Sequence, residues 1–171
     1  MKTVLITGFG PFPGVPDNPS ARLARALDGR VEGGVRFVGE VLPVSYRRAP
    51  AQTLRLIDAH KACAVLGTGV DVRAAALRVE SQGCCHPVGR VDVEGQTLTL
   101  LQGPATVAAP WSAPLADALG VELSTDAGRY VCNAWLYQVA RRAAVPVSFL
   151  HLPPSGASPD AIASAVAARL A

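Results

Sequence analysis

The most constraining feature of this 171-residue sequence is a repeated alternation between short apolar runs and longer alanine-rich stretches. The apolar runs predict strands at Thr3–Thr7, Val35–Leu42, Ala64–Leu66, Ala75–Val79 and Pro146–Leu150. The alanine-rich stretches have helical spacing and predict helices at Ser20–Leu27, Ala49–His60, Pro114–Leu119, Val131–Ala143 and Pro159–Leu170. Strands that alternate with helices are typical of parallel sheets covered on both faces. The sequence therefore predicts an α/β fold, a three-layer α/β/α sandwich around a mainly parallel, mixed central sheet.

The segment between Ser81 and Ser124 departs from this alternation. Two short β-like runs, Gly89–Val91 and Thr97–Leu100, flank a turn-like sequence at Asp92–Gln96. Such a pattern predicts a β-hairpin, so we expect an antiparallel hairpin excursion from the main sheet. Excursions of this kind often form the walls of active sites.

Length and charge limit the classes of protein to which the chain can belong. A chain of 171 residues predicts one domain over residues 1–171. The net charge of +3 comes from scattered cations, with pairs such as Arg47-Arg48 but no basic run, which argues against nucleic-acid binding. The apolar run at Thr3–Thr7 is too short for a signal peptide or a membrane span. We therefore expect a cytoplasmic protein that binds no membrane and keeps its four cysteines reduced.

Cys132 and His151 are the first candidates for chemistry. Turn-forming residues at Ser124–Gly128 precede Cys132, and apolar residues at helical spacing follow it, so the cysteine is placed near a helix N-terminus. Unpaired backbone N–H groups and the positive end of the helix dipole favour a thiolate there. His151 follows a strand-like run and is a candidate base. These two residues alone do not exclude a buried structural cysteine and a histidine bonded to nearby backbone.

A glycine- and proline-rich loop, Gly8–Gly14, follows the first predicted strand. Its prolines lack N–H groups and no Gly-Lys-Ser/Thr sequence follows, so it does not fit a phosphate-binding loop. Phe9 and Phe12 instead favour a small apolar or amide-ring ligand at the end of the strand. The alternative is that both rings fill the core. The Cys84-Cys85-His86 sequence lacks the usual spacing of metal ligands, and we predict neither a metal nor another cofactor.

Four motifs in register make a family resemblance specific. Thr7–Phe12, Asn18–Ser20, Tyr130–Asn133 and Phe149–Pro153 together resemble the pyroglutamyl peptidase I family, and the order of the motifs matches almost from end to end. The resemblance implies a cytosolic cysteine peptidase with an α/β/α sandwich fold. It also implies removal of N-terminal pyroglutamate from peptides by a Cys-His-Glu triad, without a cofactor. Cys132 then corresponds to the nucleophile and His151 to the base.

The resemblance allows two registers for the triad glutamate. Aligning Arg78-Val79 with the family's Glu-Arg-Val-Ala motif would place Leu77 at the position of the glutamate. In the family the glutamate also precedes an arginine by ten residues, just upstream of a Glu-Gly turn, and Glu80 and Arg90, followed by Glu94-Gly95, reproduce this spacing. We therefore expect Glu80 to complete the triad, against the alternative of a solvated glutamate at a strand end.

The resemblance also implies a substrate site and an assembly. The substrate-binding residues are expected to be Phe9, Phe12, Thr68, Arg90, Val91, Tyr130 and Val131. Thr68 stands where the family has glutamine, and Ala134 stands where it has histidine. If the triad is incomplete, the alternatives are a non-catalytic protein that binds a lactam or a thiol hydrolase with another substrate.

We also expect a homodimer or homotetramer, because the family forms homo-oligomers. The residues between Gly95 and Ser124 include apolar side chains that a monomer would have difficulty covering, among them Leu101, Val107, Trp111 and Leu115.

Overall fold

A twisted sheet forms the middle layer of the protein. The computed structural model describes residues 1–86, 88–99 and 102–170. Over these residues the strands are β1 (Lys2–Phe9), β2 (Val31–Glu32), β3 (Val35–Leu42), β4 (Ala64–Val70), β5 (Arg78–Glu80), β6 (Gln82–Cys84), β7 (Thr106–Ala108), β8 (Glu122–Ser124) and β9 (Val147–Leu152). The helices are α1 (Pro19–Leu27), α2 (Arg48–His60), α3 (Ser112–Leu119), α4 (Val131–Arg142) and α5 (Pro159–Leu170). No helix in this part of the chain is long and apolar enough to cross a membrane.

The strand order of the main sheet is β2-β3-β1-β4-β9-β5-β8. Its centre is parallel, since β3, β1, β4 and β9 all run in one direction. Both margins contain an antiparallel pair, because β2 runs against β3 and β5 runs against β9. The expected mainly parallel, mixed sheet is therefore confirmed.

Two hydrophobic clusters fill the spaces on the two faces of the sheet. Successive side chains of a strand point to opposite faces, and β1 follows this rule with Leu5 in one cluster and Val4 and Ile6 in the other. Residues of α2 and α4 cover the first face, and residues of α1, α3 and α5 cover the second. The expected three-layer α/β/α sandwich is thus confirmed, and each helix begins and ends within two residues of its predicted limits.

The antiparallel excursion is larger than the sequence indicates. Val88 and Leu98 form an antiparallel bridge around a turn in which the Asp92 N–H donates to the Gln96 carbonyl oxygen, as expected for the hairpin. Leu100, at the end of the predicted hairpin, lies outside the described residues. The pair β6–β7 extends the excursion but was not predicted. Strands of two or three residues, such as β2, β6, β7 and β8, are too short for a period-two pattern to identify.

The strand predicted at Ala75–Val79 is wrong in its bounds. Strand β5 begins only at Arg78, and the preceding residues form turns in which Asp71 accepts hydrogen bonds from the backbone N–H groups of Arg73 and Ala74. Ala75 and Ala76 are exposed, so no burial favours an extended strand there.

Two apolar side chains in the irregular segment are covered within one chain. Trp111 is 8% exposed and Leu115 is 0% exposed, because both pack into the cluster between α3, α5 and the sheet. The expectation that these two side chains would be difficult to cover in a monomer is therefore wrong. Val107 is partly exposed, and Leu101 lies outside the described residues.

Candidate active site

His151 and Cys132 meet where a parallel strand ends beside a helix that begins. His151 lies on β9, and the period of two places it on the same face as Phe149, toward α4. Cys132 is the second residue of α4, whose N-terminus points at this end of the sheet. Both side chains lie in the wall of one pocket, and the interaction with the Cys132 thiol is among the causes that raise the pKa of His151. The two candidates from the sequence are therefore brought together.

A glycine in β4 makes room for the thiol. Gly69 pairs in register with His151 on the neighbouring strand. A Cβ atom at position 69 would lie 2.6 Å from Cys132 Sγ and 2.9 Å from Phe149 Cζ, which is too close for either contact. The sulfur atom thus lies directly over the backbone of β4. This glycine was not among the site residues expected from the sequence, although two glycines within a strand are an unusual feature that could have indicated a close approach.

Glu80 reaches the other side of the imidazole ring. Its Oε1 atom lies 2.6 Å from His151 Nδ1, although the two residues are 71 positions apart in the chain. The glutamate side chain is 0% exposed, and its Oε2 atom has no hydrogen-bond partner among the described residues. Leu77, the residue of the alternative register, packs instead against the cluster formed by α1, α3 and α5. The geometry therefore agrees with the register that selects Glu80.

The surroundings of His151 favour its protonated form. Burial acts most strongly and lowers the pKa of the imidazole, but the hydrogen bonds to Cys132 and Glu80 and the charges of these groups outweigh it and raise the pKa from 6.5 to about 9. Opposite charge and hydrogen bonding beside a buried histidine favour its charged form. These interactions therefore favour the imidazolium over the neutral ring.

Arg78 joins the site from the same strand as Glu80. Its Nε atom donates to Glu80 Oε1 at 2.8 Å, and one terminal nitrogen lies 2.9 Å from Asp71 Oδ2. The other terminal nitrogen is 3.4 Å from His151 Nδ1. Neither Arg78 nor Asp71 was assigned to the site from the sequence, and only their position in the sheet reveals their role, because Arg78 pairs in register with His151.

The N-terminus of α4 leaves its backbone donors available. Tyr130 occupies the N-cap position and makes no side-chain capping bond, so it does not occupy the N–H groups of the first turn. The first N–H groups of an α-helix have no partner within the helix, and the helix dipole places positive potential there. This end of α4 can therefore stabilise negative charge next to Cys132 Sγ.

A pocket of about 640 Å³ opens beside these residues. Cys132 and His151 lie in its wall together with three of the expected substrate-binding residues, Phe12, Arg90 and Tyr130. The rings of Phe12 and Tyr130 have centroids 6.1 Å apart. The guanidinium of Arg90 stacks on the Tyr130 ring, with its Cζ atom 3.9 Å from the ring centroid. Aromatic surface and the Arg90 guanidinium thus belong to the same pocket wall as the thiol.

The other four expected contact residues do not line this pocket. Phe9, Thr68 and Val131 are buried, with exposed fractions of 3%, 0% and 1%. Thr68 donates its hydroxyl hydrogen to the carbonyl oxygen of Thr7, which ties β4 to β1. Val91 is exposed, and its carbonyl oxygen accepts a hydrogen bond from the Tyr130 hydroxyl. The structure therefore gives these residues supporting positions, and direct contact with a ligand stays a prediction.

Two further interactions hold the walls of the pocket in place. The buried Asp92 carboxylate accepts hydrogen bonds from the N–H groups of Tyr46, Glu94 and Gln96, which fixes the hairpin turn that carries Arg90. The Asn133 side chain exchanges two hydrogen bonds with the backbone of Cys84, so that α4 is attached to β6. Across the described residues, no group of three or more His, Cys, Asp and Glu side chains could hold a metal ion.

The fold and the site together define a class of protein. The protein is an α/β/α sandwich with a cysteine in the first turn of a helix, and a buried histidine and a buried carboxylate lie on neighbouring strands beside it. This arrangement is that of a cysteine hydrolase, since a thiol, an imidazole and a carboxylate lie together at one site.

Comparison with known proteins identifies the family. The model of the pyroglutamyl peptidase family matches residues 2–83. The pyrrolidone-carboxylate peptidase of Deinococcus radiodurans is 35% identical, over 92% of this chain and 80% of its own length. That of Chromobacterium violaceum is 32% identical, over 90% of this chain and 78% of its own length. The chain belongs to the pyroglutamyl peptidase family.

Solved structures show the same fold. The pyrrolidone carboxyl peptidase from Thermococcus litoralis matches with a TM-score of 0.86 at 23% identity, covering 99% of this chain and 92% of its own. The pyroglutamyl peptidase I from Bacillus amyloliquefaciens matches with a TM-score of 0.86 at 24% identity, covering 99% of this chain and 96% of its own.

Proposed function

We propose that this protein is a cysteine peptidase that hydrolyses the bond after an N-terminal pyroglutamate, with Cys132 as nucleophile, His151 as acid and base, and Glu80 as the orienting group. The observation that carries the proposal is the placement of Cys132 and His151 in the wall of one open pocket, with the buried Glu80 carboxylate 2.6 Å from His151 Nδ1. Family membership supplies the substrate class.

The reaction follows from the charges of these three groups. The Cys132 thiolate, paired with the His151 imidazolium, attacks the carbonyl carbon of the pyroglutamyl residue. His151 then gives its proton to the leaving amine, and the carbon–nitrogen bond breaks to leave a thioester on Cys132. Neutral His151 next takes a proton from water, whose oxygen attacks the thioester and releases pyroglutamate. Glu80 holds the ring through Nδ1 and stabilises its charged form in both steps.

Backbone N–H groups of the first turn of α4 are the donors that suit the tetrahedral oxyanion. They lie next to Cys132, and neither the helix nor a capping side chain uses them. Arg90 is the nearest candidate for additional positive charge, because its stacking on Tyr130 keeps the guanidinium at the pocket wall. The permanent charge of arginine suits a developing anion.

The aromatic wall suits a lactam ring. Phe12 and Tyr130 offer apolar surface, and pyroglutamate carries no charged amine because its nitrogen is part of the ring amide. An ordinary N-terminal ammonium would lose hydration against these rings, and the arginines in the pocket wall outnumber its two carboxylates, Asp71 and Asp126, which disfavours binding of a further cation. The residues that form this wall would then be supported by Thr68, Val91, Phe9 and Val131. The four cysteines form no disulfide bond, which suits a cytoplasmic peptidase.

The experiment that tests this function compares three conjugates of one fluorescent amine. Pyroglutamyl, prolyl and alanyl conjugates share the same leaving group, and the prolyl group matches the size of the lactam ring but carries a charged amine. We expect release of the amine from the pyroglutamyl conjugate only, and alkylation of Cys132 should stop it. Release from the prolyl or alanyl conjugate at a similar rate would refute the specificity. Binding of pyroglutamate without any release would instead support the non-catalytic alternative.

A further inference from the structure

Arg78 shares the carboxylate oxygen that holds the candidate base. Glu80 Oε1 accepts from Arg78 Nε at 2.8 Å and from His151 Nδ1 at 2.6 Å, whereas Oε2 has no partner among the described residues. The Arg78 side chain is 21% exposed and lies in the pocket wall, and its far end is fixed to Asp71. One buried carboxylate oxygen thus accepts hydrogen bonds from both the Arg78 guanidinium and the His151 ring.

We propose that Arg78 is a positioning residue that weakens the stabilisation of the His151 imidazolium by Glu80 at Nδ1, so that the ring can release its Nε2 proton to the leaving amine. This inference rests on the proposed function. Two physical effects support it. A carboxylate oxygen with two donors binds each of them less strongly than it would bind one. In addition, a permanent cation 3.4 Å from Nδ1 disfavours the positive charge on the ring.

The charged groups around His151 come from three directions. Cys132 faces the ring from α4, Glu80 and Arg78 face it from β5, and Asp71 acts on it from the loop after β4. Charges therefore alternate along the chain of contacts Asp71, Arg78, Glu80, His151 and Cys132. Without Arg78, the imidazolium would be the sole counterion of a buried carboxylate. The proton would then stay on the ring, and the step that expels the amine would slow.

The test follows the His151 ring directly by NMR in the full-length protein without substrate. The chain has only three histidines, and the Hε1 signal of His151 is assigned by its absence in His151→Gln. We expect Arg78→Gln to move the titration midpoint of His151 to higher pH by roughly one unit or more. Arg129→Gln is the matched control, since Arg129 lines the same pocket but is exposed and has no ion pair with Asp71 or Glu80 among the described residues, and the midpoint of this variant should stay in place.

Two further variants keep the test decisive if Arg78→Gln does not fold. Arg78→Lys keeps the charge and should leave the midpoint near that of the wild type. Asp71→Asn removes an anion that acts on His151 and leaves Arg78 uncompensated, so its midpoint should move to lower pH. An unchanged midpoint in Asp71→Asn, or a fall in Arg78→Gln, would overturn the proposal. A fall in Arg78→Gln would mean that Arg78 merely keeps Glu80 in place.

Kinetics then separates this proposal from the function itself. In Arg78→Gln we expect kcat for the pyroglutamyl conjugate to fall roughly three- to tenfold, with the basic limb of its pH profile moved in the same direction as the NMR midpoint. If the wild-type protein releases no amine, the proposed function fails, but the NMR titration still decides whether Arg78 controls the proton on His151. A moved midpoint with an unchanged kcat would overturn the catalytic part of the proposal.

Discussion

At the scale of single residues, Cys132 differs from the other three cysteines by its surroundings. It is at the start of α4, its sulfur atom lies over the Gly69 backbone, and it shares a pocket wall with His151. Cys63 packs at the edge of a hydrophobic cluster, and Cys84 is partly buried in β6, where burial raises the pKa of its thiol. Only Cys132 combines a helix start with a histidine partner.

We expect Cys132→Ser and Cys132→Ala to lower hydrolysis of the pyroglutamyl conjugate by about 10⁴-fold or more, because no other group can form the thioester. Cys63→Ser is the matched control and should retain activity, as should the corresponding changes at Cys84 and Cys85. The measurement is the rate of amine release, together with mass spectrometry of the alkylated wild type. Full turnover after complete alkylation of Cys132 would contradict the mechanism.

In the proposed mechanism, Glu80 orients the histidine without reacting itself. We expect Glu80→Gln to keep the fold and lower turnover roughly ten- to a thousandfold, because the amide cannot stabilise the imidazolium as a carboxylate does. Glu122→Gln is the matched control, since Glu122 is an exposed strand residue on neighbouring β8. Steady-state kinetics and circular dichroism of both variants decide the matter. A wild-type rate in Glu80→Gln would remove Glu80 from the triad.

His151 also links stability to pH. Its pKa in the folded protein is about 9, above the value of 6.5 expected in the unfolded chain, so its stabilising effect is complete below pH 6.5 and is lost as pH rises through 9. We expect the free energy of unfolding to fall by roughly 1 to 3 kcal/mol over this window. Urea unfolding at a series of pH values measures it. The same curve for His151→Gln should be flatter, and equal slopes would show that another group is responsible.

At the scale of elements, β4 sets the distance between the sheet and α4. A Cβ atom at Gly67 would overlap the Trp135 ring, and one at Gly69 would overlap the Cys132 sulfur atom. The sequence prediction ended this strand at Leu66, because glycine is unfavourable in a strand. The strand continues to Val70, and its two glycines leave the space that side chains of α4 occupy.

This contact predicts a variant that affects the site more than the fold. We expect Gly69→Ala to lower kcat/KM at least 100-fold, because the new methyl group displaces Cys132 Sγ and a misplacement of about 1 Å can cost that much. Gly89→Ala is the control, since a Cβ atom there meets nothing within 4 Å. Kinetics and thermal unfolding of both variants are compared. Near-normal kinetics in a folded Gly69→Ala protein would contradict the close contact.

At the scale of the whole molecule, the remaining question is assembly. With Trp111 and Leu115 buried inside the chain, the apolar surface left for a contact includes Val91 and Val93 of the hairpin, which are 54% and 45% exposed. The turn that carries these valines is rigid, because the Val93 N–H donates to the Val44 carbonyl oxygen and Asp92 anchors the adjoining backbone. A rigid apolar turn is a suitable surface for association.

We expect at least a dimer in solution, and we expect Val93→Asp to weaken it because a charge would replace apolar contact. Val31→Asp is the matched control, since Val31 is 56% exposed on β2 and pairs with Arg36 near the start of β3, whereas the hairpin contacts Val44 after the end of β3. Light scattering at micromolar concentrations measures the mass of each protein. A mass of one 17.7 kDa chain at every dilution of the wild type would refute association.

The sequence alone determined the order of the main elements and the type of site. The alternation of apolar runs and helical stretches depends on residues close together in the chain, so it predicted the five helices found in the described residues and the parallel centre of the sheet. The motifs around Cys132 and His151 are local in the same sense, because a helix start and a strand end are each set by a few neighbouring residues. The spacing from Glu80 to Arg90 selected the residue that the structure places beside His151.

Only the tertiary structure decided which distant groups touch. Strand β5 runs antiparallel beside β9, and this pairing, which no local pattern specifies, brings Glu80 and Arg78 to His151 across more than seventy positions. The same long-range packing buried Phe9 but left Phe12 in the pocket wall, although both belong to one loop. Contacts of this kind depend on strand order and on the space between layers. Residues that are neighbours in the chain therefore do not reveal them.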